Sequence, residues 1–267
     1  LKVSREGETY DVVAIFNWGE GSEPLTVKFS DLGLPKNVKF DVFEFWTWRY
    51  IGRFEGGFGV LLPPTSGRAF IVKRAKDEPQ VLATSRHLVA CYVDEVEARW
   101  DSASLTLSGR SKVVAGFPYK VAIVAPWRPR RLVAVRAEAG GRSVKLTQEG
   151  PLVTLEWTPE RGGFVKWSLK FEARPPLPAA RPPAPKGLKA EMRGHRALLS
   201  WEPVEGAVFY RVFCDGQFLG AAFEPKFLDP RLGFGRRVYA VSAVNFEGVE
   251  SRRAVLSFSP PKVEELY

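Results

Sequence analysis

Apolar and polar residues alternate in short runs along almost the whole chain, and Gly, Pro and Asp punctuate the runs. Alternation with period two sends successive side chains to opposite faces of a strand, whereas a helix would repeat its apolar face every three to four residues. Leu25-Thr26-Val27-Lys28-Phe29 alternates in this way, so one face of that strand is buried. Residues 12–16 are apolar throughout and read as a central strand that ends near Gly19-Glu20-Gly21. Residues 38–50 read as one long strand, 58–62 as a strand stopped by Pro63-Pro64, and 68–73 as the last strand of a first module.

A second set of strands is predicted at residues 80–83, 89–93, 96–100, 104–107, 119–124, 132–137, 143–147, 152–157 and 165–171. Turn signals fall at Asp101-Ser102-Ala103, Gly140-Gly141, Gly150-Pro151 and Gly162-Gly163. Short strands at this spacing suggest a β-sandwich. A third set covers 187–190, 197–201, 209–213, 217–219, 237–244 and 254–258. Within it, Asp215-Gly216 between alternating runs predicts a two-residue hairpin turn, because such a turn needs positive φ. Between the second and third sets, residues 174–185 hold prolines too densely for a helix interior or a central strand. That stretch reads as a semi-rigid, polyproline-like spacer rising roughly 3.1 Å per residue.

Composition adds limits. A chain of 267 residues, 45% hydrophobic, can hold two or three domains with their own cores. No apolar run approaches the length of about 18 residues that a transmembrane helix needs, and the N-terminus carries no signal-peptide pattern. The chain opens at Leu1 and enters strand-like sequence at once, which reads as a processed piece of a longer soluble polypeptide whose targeting signals lie elsewhere. Cys91 and Cys214 fall on opposite sides of the spacer and read as two separate buried thiols. The net charge of +9 would suit an acidic partner, but the arginines scatter and no nucleic-acid-binding motif accompanies them. Scarce Asn, Gln and Met beside abundant Arg, Glu and Pro fit a thermophile's composition.

Candidate chemistry is sparse. Trp46, Trp48 and Tyr50 alternate on the predicted strand 38–50, so their rings share a face with Glu44. Such a row would dock on a neighbouring domain, fill a core, or stack on sugar rings. Ser85, His87 and Asp94 have the residue types of a nucleophilic site, but Ser and His two apart on a strand arise often by chance, and a hydrogen-bonded strand end is the plainer reading. Asp94, Glu95 and Glu97 lack the glycine and spaced oxygen ligands of a calcium loop and read as a solvated turn. Trp127 among Arg128, Arg130 and Arg131 reads as an exposed loop. No residue stands out as catalytic, as a metal ligand or as a cofactor site.

Two resemblances organise these modules. Pro185, Leu188, Leu199-Ser200-Trp201, Tyr210-Arg211-Val212 and Tyr239 to Asn245, with Gly248 and Glu250-Ser251, resemble a fibronectin type III domain over about residues 183–260. That resemblance implies an immunoglobulin-like sandwich in which Trp201 is buried between two sheets and Tyr239 occupies a strand corner. Tyr10 to Trp18, Val42-Phe43-Glu44-Phe45-Trp46 with Gly52, and Gln80 to His87 are similar to the C-terminal β region of melibiase-type α-galactosidases. This second resemblance implies a catalytic barrel before Leu1 that holds the two catalytic carboxylates, none of which is in this chain. The expected fold is therefore all-β, with tandem antiparallel sandwich modules ending in a fibronectin type III sandwich. The expected modules are a β-domain at 1–77, a sandwich at 78–173, the linker at 174–185 and the fibronectin-type module at 186–261. The expected role is the non-catalytic accessory region of a glycoside hydrolase, partnered by its own upstream barrel and by glycan. The alternative is a stand-alone glycan-binding or adhesive protein.

Overall fold

The structure, a computed structural model, describes residues 1–5, 8–21, 23–35, 37–86, 97–127, 130–176, 181–229, 231, 235–246 and 248–259. The early strands are β1 (Lys2–Arg5), β2 (Glu8–Asn17), β3 (Glu23–Lys28), β4 (Lys39–Glu44), β5 (Arg49–Glu55), β6 (Gly57–Leu62) and β7 (Ser66–Arg74). Next come β8 (Gln80–Thr84), β9 (Glu97–Asp101), β10 (Thr106–Val113), β11 (Tyr119–Val124) and β12 (Arg131–Ala139). They are followed by β13 (Arg142–Ser143), β14 (Lys145–Glu149), β15 (Leu152–Trp157) and β16 (Gly163–Arg174). After the proline-rich stretch come β17 (Lys189–Arg193), β18 (Arg196–Ser200), β19 (Ala207–Cys214), β20 (Gln217–Ala222), β21 (Lys226–Leu228), β22 (Arg237–Asn245) and β23 (Ala254–Phe258). A 3-10 turn at Phe29–Leu32 is the single helical element among the described residues. The fold is thus all-β, and its sheets are antiparallel.

Contact density divides the chain into two compact units. The first gathers Leu1–Val13, Phe40–Tyr50 and Ala69–Pro178, and the second gathers Ala14–Lys39, Ile51–Arg68 and Ala179–Tyr267. Strands β2, β4, β5 and β7 each begin in one unit and end in the other.

The first unit contains a sandwich of two sheets, ordered β13-β12-β16-β10-β9 and β14-β15-β11-β8. Its core is Val121, Ile123, Val153, Leu155, Leu169 and Phe171 with their neighbours. Trp167 lies in that core directly across from Gly109, and a Cβ on Gly109 would overlap the indole ring. The indole N–H donates to the buried Ser111 hydroxyl at 2.9 Å. Strand β11 alternates between two cores: Val121 and Ile123 face one, while Ala122 and Val124 face the other. The second core adds Tyr10, Phe43, Phe45, Ile71 and Leu82, so this sheet is covered on both faces and its strands read as continuous apolar runs. The expectation of a single strand over 38–50 does not hold. Strand β4 stops at Glu44, a turn follows, and β5 starts at Arg49.

The second unit contains a sandwich of a three-stranded sheet, β17-β18-β21, and a four-stranded sheet, β20-β19-β22-β23. Trp201 and Tyr239 lie in its core beside Leu199, Tyr210, Val212 and Phe227. Asp215 and Gly216, at φ of 51° and 80°, make the hairpin turn that joins β19 and β20. Cys214, beside that turn, is a buried free thiol whose pKa burial pushes upward. A two-stranded sheet, β3-β6, belongs to the same unit and packs on β20, where Gly59 lies against Ala221. Cys91 lies outside the described residues.

Candidate functional site

Of the aromatic residues expected to form a row, Trp46 and Trp48 lie in the turn between β4 and β5, and Tyr50 follows on β5. Trp48 takes a positive φ of 55°, which breaks the alternation: Trp46 turns to solvent while Trp48 and Tyr50 pack on the core of the first unit. The buried Glu44 carboxylate fixes this turn. It accepts the Trp46 N–H at 3.3 Å, the Thr47 N–H at 2.6 Å and the Thr47 hydroxyl. Trp46 is left 58% exposed with an edge contact to Phe45. Trp48 packs edge-on against Phe43 and donates its indole N–H to the Thr154 hydroxyl at 3.1 Å. Tyr50 donates to the buried Asp41 carboxylate at 2.7 Å, and Gln80 donates to the other oxygen of that carboxylate at 2.9 Å. So the row of three is broken: Trp46 alone of the three is exposed, while Trp48 and Tyr50 brace the first unit.

The other expected sites separate in the same way. The Ser85 hydroxyl accepts the Lys120 N–H at 2.8 Å, which ties it to the strand end. His87 and Asp94 lie outside the described residues, as do Glu95 and Arg128. Glu97 is on β9 and pairs with Arg110. Trp127 is half-buried rather than looped into solvent, and the Arg131 guanidinium lies 5.4 Å from its ring centre. Among the described residues, no group of three or more His, Cys, Asp or Glu could hold a metal ion, and no helix is long and apolar enough to cross a membrane.

Trp201 packs edge-on against Tyr210, and Tyr239 donates to the buried Asp229 carboxylate at 2.7 Å. Arg231 makes a bidentate pair with that carboxylate, and Arg237 adds a further bond at 2.9 Å. Burial pushes the Asp229 pKa up, but the bonds from Arg231 and Tyr239 outweigh it and hold the carboxyl below its usual range. Burial, with the Asp229 charge beside it, pushes the Tyr239 phenol well above its ordinary value. This corner is built for stability, with its polar groups turned inward.

The arrangement suited to a ligand lies at the end of β2, where alternation turns Phe16 and Trp18 outward and Asn17 inward. Asn17 is buried, and its amide donates to the carbonyls of Gly21 at 2.7 Å, Leu62 at 3.2 Å and Pro63 at 2.9 Å. Its side-chain oxygen accepts the Gly19 N–H at 2.9 Å. These bonds clamp the backbone on either side of Trp18. The Phe16 ring lies over Gly67, where a Cβ would come within 2.9 Å of it. Trp18 stacks on Phe16 with ring centres 5.4 Å apart and planes 11° from parallel. Trp18 is 81% exposed and Phe16 54% exposed. The pair is therefore a flat apolar surface held from beneath by a glycine and from within by an amide. The sequence carried a signal for it, since Phe16 and Trp18 are two apart, but the run 12–16 reads there as a buried central strand.

No protein-family model matches the chain, that of the α-galactosidases included, and no curated protein matches it. Among solved structures, the chain is similar to a Fn3-like protein from Clostridium thermocellum, at 30% identity over 32% of this chain and 98% of that one, with a TM-score of 0.26. It is similar to a structure titled "FN3tt mut", at 24% identity over 30% of this chain and 98% of that one, with a TM-score of 0.28. It is also similar to a beta-1,2-glucanase from Parabacteroides distasonis, at 14% identity over 70% of this chain, with a TM-score of 0.28. The chain spans 37% of that glucanase's length.

Proposed function

We propose that this chain is a non-catalytic, multi-module β protein that binds glycan through the stacked Phe16–Trp18 surface. One observation carries the reading: two large rings lie parallel and exposed, on either side of a buried Asn17 that bonds the neighbouring backbone. Exposing that much apolar area costs free energy, and a surface pre-set at that cost suits a partner with a flat apolar face. A pyranose ring presents such a face through its C–H groups, and an aromatic ring meets it without reorganising. The test is affinity electrophoresis of the full chain through gels containing soluble polysaccharides of different linkage. Retardation by at least one polysaccharide, lost in Trp18→Ala and kept in Trp46→Ala, is the expected result. Equal mobility of the wild type and Trp18→Ala in every gel would remove the proposal.

A second reading is favoured by Trp46, exposed at the tip of a turn that the buried Glu44 holds. On this reading the chain is the accessory region of an α-galactosidase-like hydrolase, and Trp46 docks on a barrel encoded before Leu1. It rests on the resemblance of residues 10–18, 42–46 and 80–87 to that family. A coding sequence upstream of Leu1 without a βα-repeat pattern would overturn it.

A further inference from the structure

A cleft of about 270 Å³ opens in the second unit, away from the Phe16–Trp18 surface, and its chemistry is of another kind. Its walls are the rings of Phe54, Phe58, Phe209, Phe213 and Phe218. Phe209, Arg211 and Phe213 come from alternate positions of β19, so all three point away from the sandwich core that Tyr210, Val212 and Cys214 fill. Gly57 and Gly59 on β6, with Thr26 and Ala221, complete the lining. Phe218 stands at the cleft with 49% of its surface exposed and an edge contact to Phe213. The Arg253 guanidinium lies over the Phe213 ring, 3.5 Å from its centre.

Among the described residues lining the cleft, Arg211 alone carries charge. One of its terminal nitrogens donates to Glu250 at 3.0 Å, and the side chain keeps 44% of its surface exposed. A guanidinium has five donors in a planar fork, so one bond to Glu250 leaves capacity for a second acceptor. An apolar cavity of about 150 Å³ takes a benzene ring, so this cleft suits a ligand of one ring and a short side arm. We propose that this cleft binds a small amphiphilic acid, with an aryl or alicyclic ring among the phenylalanines and a carboxylate on Arg211. The rings favour an apolar body over a sugar, and the single cation favours an anionic head over a neutral one.

The test compares 3-phenylpropionate with its neutral counterpart 3-phenylpropan-1-ol, titrated into the full chain and followed by ligand-observed NMR. Saturable binding of the acid is expected, about tenfold tighter than the alcohol because a charge-assisted hydrogen bond is added. Arg211→Met should abolish that preference, and Arg211→Lys should keep part of it. Glu250→Gln should strengthen acid binding several-fold by removing the competing carboxylate. Phe218→Ala, at an exposed position that leaves the fold intact, should weaken both ligands alike. No saturable binding up to about 10 mM, equal affinity for acid and alcohol, or an acid preference surviving in Arg211→Met would each overturn the proposal.

Discussion

Each of the two units sets an aromatic ring over a glycine, and the two pairs serve opposite ends. In the first unit Trp167 lies over Gly109 inside the sandwich core, with its indole N–H satisfied by Ser111 and its ring almost fully buried. In the second unit Phe16 lies over Gly67 at the surface and carries Trp18 on its other face. A glycine removes the Cβ that would hold a ring off the backbone, so both rings settle close to the neighbouring strand. What differs is the remaining face of the ring. Around Trp167 it meets packed side chains, and the contact yields stability. Around Phe16 it meets a second ring that stays in water, and the same device yields a platform.

Truncating the rings gives the widest contrast. Trp167→Ala should cost about 3–5 kcal/mol, because it deletes a buried indole and orphans the Ser111 hydroxyl. Phe16→Ala should cost less than about 1 kcal/mol, as expected for an exposed side chain. Chemical denaturation of the two variants beside the wild type reads both numbers, and equal losses would break the distinction. Next comes Gly109→Ala, where the new Cβ meets a ring locked by its hydrogen bond and its core neighbours. Overpacking of this kind should cost about 1–3 kcal/mol. A Gly109→Ala protein that melts with the wild type would show that the indole has room to move.

The sandwiches were legible because their strands alternate and their turns are chemically marked. Tyr119–Val124, Leu152–Trp157 and Ala254–Phe258 were bounded correctly from residues alone, and Asp215-Gly216 turned where positive φ was required. The aromatic turn was not legible, because local preference points the wrong way there. A tryptophan favours extended backbone, and Trp48 adopts positive φ because the buried Glu44 carboxylate bonds the turn at Trp46 and Thr47. The Phe16–Trp18 platform was hidden for a related reason. Its exposure depends on Asn17 reaching Leu62 and Pro63, more than forty positions away in sequence. The division of early residues between two units is likewise set by long-range contacts that no local pattern encodes.

Acid should distinguish the units more gently. Burial raises the Asp11 pKa in the first unit, and the charges of Lys2 and the N-terminus only partly offset it. The folded state there binds its proton more tightly than the unfolded chain, so this contribution improves as pH falls toward the ordinary value of 3.8. Asp229 in the second unit has the opposite sign. Its folded pKa lies below 3.8, so its stabilisation is complete above that pH and is lost as pH falls through the folded value. Hydrogen exchange measured from pH 7 down to about 3, corrected for intrinsic rates, should show protection falling around β21 and β22 before β1 and β2. Simultaneous loss at both places would mean that other carboxylates govern the acid limb.

The smallest expected effect on stability is the most direct test of the comparison. Gly67→Ala puts a Cβ against the Phe16 ring, as Gly109→Ala does against Trp167, but here the ring edge is free to swing into water. The stability cost should therefore stay under about 1 kcal/mol. The ring cannot swing without tilting the stack, so Trp18 should lose its parallel seat on Phe16 while Asn17 still holds its backbone. Tryptophan emission should shift, and any polysaccharide retardation shown by the wild type should weaken in proportion. A Gly67→Ala protein as destabilised as Gly109→Ala would mean that the surface pair is part of the core after all. One with full stability and full retardation would mean that the glycine beneath Phe16 does not set the platform.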